Sequence, residues 1–115
     1  MTNTSPTQLA ARRCIPCEGG SAPLDAQQSA ALLKQLANNW QCQQQQLQKE
    51  YTFKDFALAL AFTNRVGSIA EAEGHHPDIF LGWGKVRLVI WTHAVNGLTE
   101  SDFILAAKAD VAFKL

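Results

Sequence analysis

The segment from Phe56 to Pro77 constrains this chain more than any other. Phe56, Leu58, Leu60, Phe62, Val66 and Ile69 form two overlapping apolar stripes of one long helix, and the unbroken apolar run Phe56 to Phe62 is seven residues. So wide a face predicts deep burial. Thr52 and Asp55 have the spacing of a capping box just before it, Gly74 suits the left-handed residue that closes a helix, and Pro77 forbids its resumption. The rest of the chain must supply a layer against which this helix packs.

The flanking segments supply it. Asp25 and Gln28 form a capping box, and Ser29, Leu32, Leu33, Leu36 and Trp40 share a stripe, so a helix is predicted from 25 to about 38. Trp40 to Thr52 alternates between apolar and polar positions and reads as two short strands. Ile79, Leu81 and Trp83 alternate, as do Val86, Leu88, Ile90 and Thr92, with Gly84-Lys85 as a two-residue turn between them. Thr99 and Asp102 form a third capping box, opening a helix through Ile104, Ala107 and Val111. The order α-β-β-α-β-β-α predicts an α+β two-layer sandwich, three helices on one face of a four-stranded antiparallel sheet. Residues 1 to 23, with three prolines and Gly19-Gly20, are expected to be a flexible tail, and the folded domain to span 24–115.

Ten Lys and Arg balance ten Asp and Glu, so no basic field exists to hold a phosphate backbone, and direct nucleic-acid binding is disfavoured. Zero net charge with only 17% charged residues favours self-association, and a homodimer or homotetramer is expected. The seven-residue apolar run is too short to cross a membrane, and the N-terminus lacks the apolar core of a signal peptide, so a cytoplasmic location is expected. The three cysteines argue against a disulfide framework; Cys14-Ile15-Pro16-Cys17 has redox or zinc spacing but stands without a second pair, and reads as incidental.

All three histidines fall within residues 75 to 93, with Trp83, Trp91, Glu71 and Asp102 nearby. A turn at Gly84-Lys85 pairs residues whose numbers sum to 169, setting His76 opposite His93. Phe80, Gly82, Arg87, Val89 and Trp91 then share the His93 face, while Ile79, Leu81, Val86, Leu88 and Ile90 face the helices, an assignment that a one-residue slip would reverse. Taken singly, each of these residues has an ordinary explanation: Asp102 as a helix cap, Glu71 as a solvated residue, His75-His76-Pro77 as a polar turn. Their concentration is what points to chemistry. A metal site is disfavoured, because adjacent histidines on an extended segment point to opposite faces and no His-Glu-x-x-His helix is present.

The run Glu71-Ala72-Glu73-Gly74-His75-His76-Pro77, then Trp83, Thr92-His93 and Gly97-Leu98-Thr99-Glu100-Ser101-Asp102, resembles the pterin-4a-carbinolamine dehydratases. Cys14-Ile15-Pro16-Cys17-Glu18-Gly19 is similar to bacterial members, and Ile79 departs from the tryptophan that many members carry. The resemblance implies dehydration of 4a-hydroxytetrahydropterins to quinonoid dihydropterins in pterin recycling, with a pterin substrate and no cofactor or metal. It implies His75, His76 and His93 as catalytic residues, Glu71 and Asp102 as supporting ones, and His76, Pro77, Trp83, Trp91 and Thr92 as substrate-binding. Because the family motif allows asparagine at position 76, His75 and His93 lead as acid and base and His76 as a positioning group. Two rival roles attach to the same resemblance: a non-enzymatic dimerisation module for a transcription factor, and a part in molybdopterin metabolism.

Overall fold

Three helices of this protein begin where a carboxylate meets N–H groups that lack an intrahelical partner. The computed structural model describes residues 6–15, 22–36 and 39–115. Asp25 caps α2 (Ala26–Leu33), accepting the Gln28 N–H at 2.7 Å while Gln28 Oε1 accepts the Asp25 N–H at 2.9 Å, the box that the sequence predicts. The helix stops short of the expected 38, and residues 37 and 38 lie outside those described. The box expected from Thr52 to Asp55 does not form: Thr52 stays in the sheet ladder opposite Lys85, and Asp55 itself caps α3 (Phe56–Glu73) by accepting the Leu58 N–H at 2.9 Å. Gly74 closes α3 in the left-handed region at φ 66°, as expected.

Four strands, β1 (Gln41–Gln43), β2 (Gln46–Thr52), β3 (Asp78–Gly82) and β4 (Lys85–Ile90), form one antiparallel sheet in the order β1-β2-β4-β3. The first hairpin turns through Gln44 and Gln45 at φ 52° and 60°, the twist that two-residue hairpins favour. In the second, the turn is Trp83-Gly84 rather than Gly84-Lys85: Gly82 pairs with Lys85, and partners sum to 167 instead of 169. The Phe53 N–H donates to the Gly84 carbonyl at 2.8 Å, and a Cβ on Gly84 would stand 3.1 Å from the Phe53 oxygen, which together fix Gly84 in the turn. His76 therefore does not lie opposite His93; the β3–β4 ladder ends at Asp78 and Val89. Moving the sum by two preserves side-chain parity, so Val86, Leu88 and Ile90 lie fully buried toward the helices, as predicted.

The helix α4 (Glu100–Phe113) is the centre of the helical layer, buried continuously from Ser101 to Ala107. The deep burial expected of α3 holds for one stripe only. Ala59, Phe62, Val66 and Ala70 are buried, whereas Phe56, Leu58 and Leu60 remain 44%, 49% and 39% exposed. The described part of the expected tail is packed: Pro6–Ala10 forms a short helix, α1, against α4, with Leu9 1% exposed and Lys108 Nζ donating to the Ala10 carbonyl at 2.6 Å. Burial of Leu9 on the otherwise open side of α4 accounts for that difference. Among the described residues no helix is long and apolar enough to cross a membrane.

Candidate active site

Ends of helices and strands converge at one edge of the sandwich. The left-handed Gly74 stops α3 and delivers His75 and His76 just ahead of β3, while β4 runs out into Trp91, Thr92 and a single 3-10 turn, His93–Val95. All three histidines border one cavity of about 350 Å³, whose wall also includes Trp91, Thr92, Cys14, Ile15, Glu73, Gly74 and Ala94. The volume lies at the small end of the range for small-molecule sites.

Each imidazole has a different partner. Asp102, wholly buried at the third position of α4, places Oδ1 2.6 Å from His75 Nε2, and its Oδ2 accepts the Thr92 hydroxyl at 2.7 Å and the Thr99 N–H at 2.8 Å. Capping the helix and reaching the histidine are thus one function of one carboxylate. Glu71, although one helical turn before His75 in the sequence, has Oε2 2.5 Å from His76 Nε2. The two pairs differ in surroundings: side-chain exposure is 15% and 0% for His75 and Asp102, but 59% and 80% for His76 and Glu71. The His93 ring lies against Trp91, centroids 4.0 Å apart at 46°. With Nε2 engaged by a carboxylate, His75 and His76 each keep Nδ1 for proton exchange or substrate binding.

Two expected binding residues stand elsewhere. Trp83 is at the tip of the β3–β4 hairpin, 70% exposed, at the opposite end of the strands from the cavity, and Pro77 follows His76 without forming part of the wall. Conversely, sequence reasoning missed Cys14, Ile15 and Glu73. Their contacts span 59 residues and more, beyond any local pattern, and Pro6 at a helix start followed by Leu9 is the one nearby cue. Burial, aided by the Glu73 charge, pushes the Cys14 thiol up to about 11, so it stays protonated at neutral pH and is no thiolate nucleophile. Cys17 lies outside the described residues. Among those residues, no three His, Cys, Asp or Glu side chains are grouped to hold a metal ion.

The family model for pterin 4 alpha carbinolamine dehydratase matches residues 22–112. A Rickettsia canadensis protein called "Putative pterin-4-alpha-carbinolamine dehydratase" is 49% identical over 105 residues, covering 90% of this chain and 96% of its own. A Nitrosomonas europaea protein of the same name is 41% identical over 114 residues, 99% of both chains. Among solved structures, a transcriptional coactivator/pterin dehydratase from Brucella melitensis superposes with a TM-score of 0.74 at 28% identity, covering 78% of this chain and 97% of that one. Histidine cluster, fold and relatives agree, and the chain belongs to the pterin-4-alpha-carbinolamine dehydratase family.

Proposed function

We propose that this protein dehydrates 4a-hydroxytetrahydropterins to quinonoid dihydropterins by imidazole acid–base catalysis. The observation that carries the reading is the buried Asp102 carboxylate behind His75 on the wall of a cavity that also holds His76 and His93. In the reaction a proton is delivered to the 4a-hydroxyl, which leaves as water, while N5 gives up its proton and its bonding electrons form the N5–C4a double bond. Atoms and charge balance with no change of oxidation state, so acid and base groups suffice. Imidazoles suit both roles near neutral pH.

His75 and His93 are assigned as the acid–base groups. Asp102 orients the His75 ring and stabilises the positive charge it acquires when Nδ1 takes a proton, as carboxylates do for imidazoles in hydrolases. His76, held by Glu71 at the open side, positions the pterin; Trp91 offers a flat apolar wall and Thr92 anchors Asp102. A stopped-flow assay of carbinolamine dehydration with purified protein tests the reading. Acceleration over the spontaneous reaction, undiminished by chelator, is expected; no acceleration would overturn it and favour a docking role.

Self-association belongs to the same proposal. Phe56 and Leu60, one turn apart, leave an exposed apolar pair on one flank of α3 and Leu58 is exposed on the other, while edge strand β3 carries exposed Phe80, so a second copy is the expected cover. Sedimentation at micromolar concentration should show a dimer or tetramer.

A further inference from the structure

The stretch Arg12–Ile15 precedes the residues that the family model matches, yet it forms part of the cavity wall. It is held there by a set of specific contacts. The Cys14 N–H donates to Glu73 Oε1 at 2.8 Å, the Ile15 N–H donates to Ser101 Oγ at 2.9 Å, and Ser101 returns its hydroxyl to the Ile15 carbonyl at 3.1 Å. Ionic contacts reinforce the strap: Arg12 meets Glu100 at 3.3 Å, and Glu73, 8% exposed at its side chain, meets Arg13 at 3.4 Å and Lys108 at 3.7 Å. Two backbone amides, two side-chain acceptors and the ends of α3 and α4 therefore fix where the arm lies. At its end Ile15 borders the cavity with 66% of its surface exposed, an aliphatic side chain at the rim of a site whose wall also presents three imidazoles, the Glu73 carboxylate and the Trp91 ring.

We infer that this arm is a specificity wall, with Ile15 contacting the substituent of the bound pterin and Glu73 acting as the positioning residue that holds the arm. The inference rests on the pterin reading above. In the pterin ring C6 adjoins N5, the atom that loses its proton, so a group on C6 projects from the reacting centre toward the surrounding wall. An apolar part of that group would bury Ile15, whereas the polar bicycle gains nothing from it.

Fluorescence titration of the full chain with oxidised pterin and with 6-propylpterin tests this without requiring turnover. Ile15→Ala, a change at an exposed residue, should weaken 6-propylpterin about 3- to 10-fold and leave unsubstituted pterin within about two-fold. Glu73→Ala should reproduce that selective loss, and Glu73→Gln, which keeps an acceptor for the Cys14 N–H, should restore it. Equal effects on both pterins, or none on either, would overturn the inference. Failure of the wild-type protein to bind either pterin would remove the substrate class and the inference with it. Selective binding without accelerated dehydration would sustain the wall and overturn only the catalytic reading.

Discussion

Two aspartates on the same helix, both nearly sealed from solvent, have opposite destinies in this fold. At the start of α4, Asp102 accepts from Thr92, Thr99 and His75, and through that imidazole it reaches a cavity. Toward the end of α4, Asp110 also has three partners: Trp40 Nε1 at 2.8 Å, Lys49 Nζ at 2.8 Å and the Tyr51 hydroxyl at 2.5 Å. Lys49 further lies over the Trp40 and Tyr51 rings, 5.7 and 4.7 Å from their centroids. Burial and desolvation of the carboxylate are therefore not what distinguishes the acid proposed to support catalysis from the one that closes the core. The difference lies in the partners. Asp110 has a fixed cation and two donors that close the site, and burial beside its charge drives the Tyr51 phenol well above its ordinary range. Among the described residues Asp102 has only a titratable ring as its ionic partner, and that ring borders the cavity.

The largest effect should come from cutting the open network. His75→Ala is expected to lower the dehydration rate about 10²- to 10⁴-fold, with Asp102→Asn falling in the same range, because the asparagine no longer stabilises a charged ring. His93→Ala should also act on turnover. Stopped-flow rates on folded protein decide; a His75→Ala variant with wild-type turnover would erase the distinction between the two ends of α4.

Cutting the closed network should leave chemistry alone. Asp110→Asn strands Lys49, whose side chain is 11% exposed, so a loss of about 3–5 kcal/mol in unfolding free energy is expected, read from denaturant midpoints. The turnover of the folded fraction should stay within about two-fold of wild type. A parallel collapse of the rate would show that the two ends communicate.

A smaller effect separates the adjacent histidines. Because Glu71 and His76 are both well exposed, Glu71→Gln should change stability by less than about 1 kcal/mol. His76→Ala should raise the KM for the pterin and leave kcat within about three-fold. If instead His76→Ala abolishes turnover with pterin binding unchanged, the division of labour between exposed and buried pairs is wrong.

What the sequence disclosed and what it withheld follow from the range of the interactions. Caps at Asp25, Thr99 and Gly74 involve neighbours along the chain, and strand faces follow from alternation alone, so the layer order and the buried identity of Val86, Leu88 and Ile90 were legible. The hairpin register was not, because it depends on Phe53 holding Gly84 from a different strand end. The three histidines could be gathered from sequence, but their carboxylate partners could not be paired: Glu71 is four residues from His75 and five from His76, and only the left-handed bend at Gly74 decides between them. Nothing local marks the Asp110 cluster, whose donors come from 59 to 70 residues away, or the docking of Cys14 on Glu73.

Glu73 provides the smallest and last test, because it shares Lys108 of α4, between the two aspartates, yet touches the exposed arm. Its carboxyl is held below the ordinary value of 4.5, chiefly by the Cys14 N–H and then by the Lys108 and Arg13 charges, against the opposing effect of burial. A carboxylate with a depressed folded value binds protons more readily in the unfolded chain, so its contribution is complete above pH 4.5 and is lost as pH falls through the lower folded value. Unfolding free energy measured from about pH 5 to about pH 3 should therefore fall less steeply in Glu73→Gln than in wild type, since glutamine has no proton to gain. The groups facing Glu73 are the Arg13 and Lys108 side chains, the Cys14 N–H and the Cys14 thiol, which burial pushes up to about 11 and so keeps protonated across that range. Identical slopes in the two proteins would mean that the arm is not held by the Glu73 charge. In that case the open end of α4 would owe its strap to the Ser101 hydrogen bonds and the Arg12–Glu100 pair.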